Sequence, residues 1–245
     1  MSDLRSRMGE GRIVGTFVKI PTTAVIDLAR ERFDFVIVDR EHSALDERQM
    51  LDLIRHSAAI GLPALLRLPT FDKGQVNRAL EAGAAGIQLS MVTSPAEVEA
   101  LRRACEYAPV GNRSVSLGHP GGAYGGIPLP DYVAASRGLP LVVIQLETAE
   151  EPEAYERILA ARPDVAFIGM ADLRVDTEFD ADRLAEKVAA IRAACRRTGV
   201  TLGGIELDED PEARYLTASN DLSMLRAGMA AARKAVKEPR DVEQP

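Results

Sequence analysis

Asp39, Arg40, Glu41 and His42 stand together in "VDREHSALDE", at the end of the apolar run "FVIVD". Two acids, a guanidinium and one of the three histidines in that place make either a solvated loop or one wall of an active site. The choice depends on what the other strand ends carry. Arg67 lies in "LLRLP", Gln145 and Glu147 in "IQLE", and Asp172 in "GMAD". Gln145 and Glu147 are two apart, so on a strand they share a face, and Leu146 points the other way. A carboxylate on an inward face is costly unless it is paired or bound to metal. Glu147 and Asp172, from successive strands, can reach one ion together, and two carboxylates with waters suit Mg²⁺ or Mn²⁺. The same two residues also read as salt-bridged structural groups or a helix cap. Arg67 reads equally as the ion-pair partner of either, and His42 as a satisfied polar residue or a base. Lys19 is the one lysine placed for Schiff-base chemistry, against the ordinary reading of a surface lysine whose stem snorkels. His56 in a helical stretch and His119 in a glycine-rich loop read as non-catalytic.

The elements that must position these residues follow from periodicity. Short apolar, β-rich runs occur at 15–20, 35–39, 64–68, 86–90, 141–147, 165–169, 201–205 and 214–218, the last of them weak. Between them lie amphipathic stretches with helix punctuation, such as "DERQMLDLIRHSAAIG", with an Asp46/Gln49 capping-box pattern and a stop at Gly61. "DADRLAEKVAAIRAACRRTG" likewise stops at Gly199. Eight strands alternating with helices in 245 residues predict a single (β/α)8 barrel over residues 1–237, with a disordered tail at 238–245. A doubly wound open sheet is the alternative, but "FVKIPTTAV" has no glycine-rich phosphate loop after the first strand. Residues 105–140 form a long connection rich in glycine and proline, with one short helix expected near 130–136. Such a connection is uncommon unless it borders a site. Little room for a helix is left after the seventh strand, in "ELDEDPEA".

Composition narrows the function classes. A net charge of −7 offers no electrostatic footprint for nucleic acid or anionic membrane. No apolar stretch approaches the length of a membrane span and "MSDLRSRMGEGR" has no signal core, so a cytoplasmic protein is expected. Cys105 and Cys195 follow no metal or redox spacing and read as reduced structural residues. With 4% aromatic residues and no tryptophan, an aliphatic core is expected.

The ordered segments "GTFVKIP", "FVIVDREHSALD", "LLRLP", "GAAGIQLSMV", "EYAPVGNRSVS", "VIQLET", "FIGMADL" and "SNDLSMLRAG" resemble the HpcH/HpaI family of metal-dependent (class II) pyruvate aldolases. The likeness is nearest to the hydroxy ketoacid aldolases, which carry a similar "GTFVK" start. The resemblance implies reversible retro-aldol cleavage of 2-keto-4-hydroxy acids to pyruvate, or a close 2-oxo acid, and an aldehyde, through a metal-stabilised enolate. It implies that Glu147 and Asp172 hold a divalent cation (Mg²⁺, Mn²⁺ or Co²⁺) and that Gln145 stands beside the metal-bound water and substrate. Arg67 then meets the pyruvate keto oxygen, and His42 is the catalytic histidine, oriented by Asp39. The main chain of Gly169, Ala171 and Asp172 is implied as the donor set for the substrate carboxylate. A homo-oligomer, hexamer or trimer, is implied, with the final helix packed on a neighbouring subunit. Ser90 stands where many members have proline, Met170 and Arg174 differ from the usual residues beside Asp172, and the connections after strands six and seven are shorter than usual.

Two other functions fit the barrel. One is a lyase acting on acyl-CoA esters, which would want a basic rim that these strand ends lack. The other is a degenerate paralogue that keeps the metal and has lost assembly through its shortened segments.

Overall fold

The structure is a computed structural model and describes residues 4–236. Eight parallel strands close into a barrel in chain order: β1 (Ile13–Val18), β2 (Phe35–Asp39), β3 (Ala64–Leu68), β4 (Gly86–Leu89), β5 (Leu141–Leu146), β6 (Val165–Ile168), β7 (Thr201–Gly204) and β8 (Ala213–Asn220). The helices are α1 (Leu4–Glu10), α2 (Thr23–Arg30), α3 (Glu47–Ala59), α4 (Lys73–Ala82), α5 (Pro95–Cys105), α6 (Leu129–Ser136), α7 (Pro152–Ala160), α8 (Met170–Asp176), α9 (Ala181–Thr198) and α10 (Asp221–Ala235). This is the expected (β/α)8 barrel. The tail expected at 238–245 lies outside the described residues. None of the described helices is long and apolar enough to cross a membrane.

Local sequence accounts for most boundaries. Asp46 accepts the Gln49 N–H at 2.8 Å and the Gln49 side chain accepts the Asp46 N–H at 2.9 Å, the reciprocal box that starts α3. Gly199 ends α9 in the left-handed conformation, at φ 72°. Four strands end one residue earlier than expected, and two depart further. The first runs 13–18 rather than 15–20, because the N–H groups of Lys19 and Ile20 both turn to the Asp221 carboxylate at 2.8 Å. The eighth, weak by sequence, spans eight residues because it closes the barrel between β7 and β1. After β7 there is no helix, only turns, whereas β6 is followed by both α8 and α9.

Strand alternation divides the core in two. Val36, Val38, Leu66, Ile87, Ile144 and Ile168 face outward into an aliphatic layer beneath the helices. The inward set, Phe17, Phe35, Ile37, Leu65, Val143, Phe167 and Tyr215, fills the barrel with Leu4 and Met8 of α1 against it. An aliphatic core is therefore correct only for the outer layer. The barrel interior concentrates aromatics, with Phe35 stacked on Tyr215 at 4.5 Å and Phe167 edge-on to both Phe17 and Tyr215 at 6.2 Å. Gly15 makes room for them, since a Cβ there would lie 2.3 Å from the Phe35 ring.

Both cysteines are buried free thiols pushed up to about 12 by burial. They are inert at neutral pH, as their sequence context suggested.

Candidate active site

The inward-facing series turns polar toward the carboxyl ends of the strands. Asp39, Arg67 and Gln88 stand in register across β2, β3 and β4, and Gln145 and Glu147 rise from β5. All five are buried. A closed barrel makes no provision for such groups except one another, so their partners define the site.

Asp39 and Arg67 form a two-point pair, Nε to Oδ1 at 2.9 Å and Nη2 to Oδ2 at 2.6 Å. Lys19 Nζ lies 3.3 Å from the same carboxylate, and the N–H groups of Glu41 and His42 donate to it at 3.0 and 3.2 Å. Burial pushes the Asp39 carboxyl up, but the Arg67 hydrogen bond and charge, with the two main-chain donors, outweigh it and hold it below the usual range. The third guanidinium nitrogen, Arg67 Nη1, reaches Glu41 at 3.0 Å. Ser90 donates to the same Glu41 oxygen at 2.6 Å. Below, the Phe17 ring lies 4.5 Å from the Arg67 guanidinium carbon.

His42 lies apart from the role assigned to its neighbour. The Asp39 carboxylate takes its main-chain N–H, while the imidazole stands 59% exposed with Nε2 3.9 Å from Glu41. Asp39 therefore positions the loop that carries His42, not the ring. Lys19 is also corrected: it is not a surface lysine, since its amine is drawn in by Asp39.

The second wall is a chain of amides ending on a carboxylate. The Tyr215 hydroxyl donates to Gln88 at 3.3 Å, the Gln88 amide donates to Gln145, and the Gln145 amide donates to Glu147 Oε1. The other Glu147 oxygen accepts the Met91 N–H at 2.8 Å. Gly169 leaves the space for this carboxylate: a Cβ there would lie 2.2 Å from Glu147 Oε1. Among the described residues no cationic side chain donates to Glu147. Burial therefore raises its carboxyl to about 7, with the Glu41 and Asp172 carboxylates adding to the rise and the Met91 and Gln145 hydrogen bonds opposing it.

Asp172 is exposed in the first turn of α8. Ala171 is exposed beside it, while the Gly169 N–H is spent on the Leu146 carbonyl at 3.2 Å and offers nothing to a substrate. Arg174 turns away to Glu206.

These residues fit a divalent cation. Glu41 is paired with Arg67, but Glu147, a buried carboxylate raised by burial and by the neighbouring Glu41 and Asp172 charges and lacking a basic partner of its own among the described residues, is an unneutralised negative group. Among the described residues no group of three or more His, Cys, Asp or Glu side chains forms a metal cluster, so a cation here would rest on Glu147 and Asp172 and leave positions for other oxygen ligands.

Of the residues in this network, Gln88 is absent from the sequence reading, Lys19 enters it only as a Schiff-base lysine weighed against a surface one, and Ser90 only as a departure from the family. For Gln88 a signal existed, since "GIQLS" repeats the inward glutamine of "VIQLE" at a strand end.

Residues 14–229 match the model of the HpcH/HpaI aldolase/citrate lyase family. Hydroxypyruvate/pyruvate aldolase of Rhizorhabdus wittichii is 29% identical, over 98% of this chain and 99% of its own length. A 4-hydroxy-4-methyl-2-oxoglutarate aldolase of Chaetomium globosum is 30% identical, over 73% of this chain and 70% of its own. The crystal structure of an HpcH/HpaI aldolase/citrate lyase family protein from Burkholderia cenocepacia superposes with a TM-score of 0.84 at 26% identity, covering 96% of this chain and 99% of that one.

The raised Glu147 carboxyl has a consequence for cation-free protein. Between about 4.5 and about 7 the unfolded chain releases this proton and the folded chain keeps it, so the group's contribution to stability falls as pH rises through that window. Relative to Glu147→Gln, wild type should lose on the order of 3 kcal/mol from pH 4.5 to 7 and nothing further above it. Urea unfolding of both proteins in chelator measures this, and parallel pH profiles would refute the assignment.

Proposed function

Given that the chain belongs to the HpcH/HpaI aldolase/citrate lyase family and is a carbon–carbon lyase of the aldolase kind, we propose that it cleaves 2-keto-4-hydroxy acids reversibly to pyruvate, or a close 2-oxo acid, and an aldehyde. The observation that carries the reading is Glu147, a buried inward carboxylate without a basic partner, oriented by amides and flanked by Glu41 and Asp172. Glu147 and Asp172 hold a divalent cation (Mg²⁺, Mn²⁺ or Co²⁺), which when bound supplies Lewis-acid stabilisation of charge developing at the keto oxygen.

The remaining work falls to side chains of this chain. Retro-aldol cleavage breaks the C3–C4 bond and leaves its electron pair on the pyruvate fragment as an enolate. Arg67 answers that charge with the N–H groups not committed to Asp39 and Glu41. Because both carboxylates already pin the guanidinium, little reorganisation is needed as charge develops. Gln88 fixes the Gln145 amide, which in turn holds the Glu147 carboxylate in place beside the substrate. The main-chain N–H groups of Ala171 and Asp172, in the first turn of α8, meet the substrate carboxylate. His42, exposed at the mouth, takes the 4-hydroxyl proton in cleavage and returns it to the aldehyde oxygen in synthesis. Asp39 serves that step by holding the loop through the His42 N–H. A Schiff base at Lys19 is disfavoured, because its amine is already engaged by the Asp39 carboxylate at 3.3 Å.

The site is completed by a homo-oligomer, a hexamer or trimer. The support is α10, in which Leu222, Leu225 and Met229 are exposed and only Asp221 is buried. A 15-residue helix gains little from propensity alone and needs an apolar face covered.

Three outcomes test these statements. In D₂O the pyruvate methyl signal should exchange with deuterium when Mg²⁺, Mn²⁺ or Co²⁺ is added. That exchange should fall by at least about two orders of magnitude in EDTA or in Glu147→Ala. Exchange that survives EDTA, with borohydride trapping of pyruvate on Lys19, would replace the metal mechanism. His42→Ala should slow aldol cleavage by about 10²- to 10⁴-fold, and a normal rate would remove His42 from the acid–base role. Light scattering should give the mass of a trimer or hexamer, and Leu225→Asp should reduce it; a monomeric wild type would sink the assembly reading.

A further inference from the structure

The long connection from α5 to β5 leaves the end of α5 and returns at Leu141, and part of it lines, with Leu4 and the end of α4, a half-open cavity of about 510 Å³ at the amino end of the barrel. Most of the lining is apolar, including Leu4, Leu80, Ile127, Ala135, Leu139 and Leu141.

One wall carries a charge. Arg113 lines this cavity, is 8% exposed, and its Nη2 has no hydrogen-bond partner. Its Nε donates to the neutral Asn77 amide at 3.2 Å, and Asn77 in turn donates to Glu81 at 3.0 Å, so an amide stands between the guanidinium and that carboxylate. The guanidinium carbon lies 4.7 Å from the centre of the Tyr107 ring. From Tyr107 a polar chain continues to the Tyr132 hydroxyl at 3.3 Å and to His119 Nε2 at 3.4 Å. His119 Nε2 lies 2.9 Å from the Ser116 carbonyl, and its buried Nδ1 has no partner. That Nδ1 is 3.3 Å from where a Cβ on Gly121 would lie, and Gly121 is part of the cavity wall.

Buried polar groups in folded proteins are almost always satisfied, and a buried cation costs most when it is not. Here a buried guanidinium with no carboxylate paired to it among the described residues stands in the wall of an apolar cavity of ligand size. Such a cation calls for an anion, and the rest of the lining asks for an apolar body. Asp131 on the same rim disfavours a doubly charged phosphate. We propose that this cavity binds a small monocarboxylic acid with an aromatic or medium-length aliphatic body, its carboxylate on Arg113. The proposal is independent of the aldolase reading.

Calorimetry with the full chain tests it, using benzoate and hexanoate as probes and benzamide and hexanamide as neutral controls. The acids should bind wild type, and the amides about ten- to hundredfold more weakly, because they forfeit a charge-assisted hydrogen bond. Arg113→Gln should weaken the acids to a similar degree. Ala135→Trp, an exposed position on the wall, should block binding with Arg113 intact and the fold undisturbed, while metal-dependent pyruvate exchange continues. No binding to wild type, or binding that persists in Ala135→Trp, would overturn the proposal; persistence would assign the acids to another site.

Discussion

The pairing of Asp39 with Arg67 is the interaction on which the mouth of the barrel depends. The two stand opposite each other in the β2–β3 register, both buried, in a place where neither charge could survive alone. A buried ion pair repays its desolvation only when geometry is good and the remaining donors and acceptors are met. Here most are: two hydrogen bonds join the pair, Lys19 and two loop N–H groups complete Asp39, and Glu41 engages the third nitrogen of Arg67. Loop 40–42 hangs from this pair, and with it the exposed imidazole of His42. Ser90 extends the same network to the next strand.

Glu147 is the counterpart left incomplete. It shares the burial of Asp39 and lacks its cation, and the two carboxyls consequently move in opposite directions from the ordinary range. The aromatic fill beneath them contributes to the burial, since Phe17, Phe35, Phe167 and Tyr215 exclude water from the barrel interior. The amide chain from Tyr215 upward fixes the Glu147 carboxylate without neutralising it. One wall of the mouth is thus electrostatically closed, and the other is open to a cation.

Much of the fold follows from patterns short enough to read along the chain. Strand and helix alternation predicted the barrel, and β2 and β3 fall on the residues expected. Period-two alternation also placed Gln145 and Glu147 inside, because Leu146 between them had to face out. Such inferences hold because backbone geometry couples neighbours directly. The aliphatic-core expectation failed for a related reason: composition says how many aromatics there are, and not that closure collects four of them along one axis.

The sequence by itself determined the number and order of the strands, that Gln145 and Glu147 face inward and which residues at the strand ends carry charge. Tertiary structure alone decided which charge meets which. Asp39 and His42 are close in the chain, yet the carboxylate turns to Arg67, 28 residues away, because register sets them side by side. Lys19 reaches the same carboxylate because β1 stops where Asp221, after β8, takes its last N–H groups. Such choices depend on strand register and barrel closure, and both are properties of contacts between distant segments.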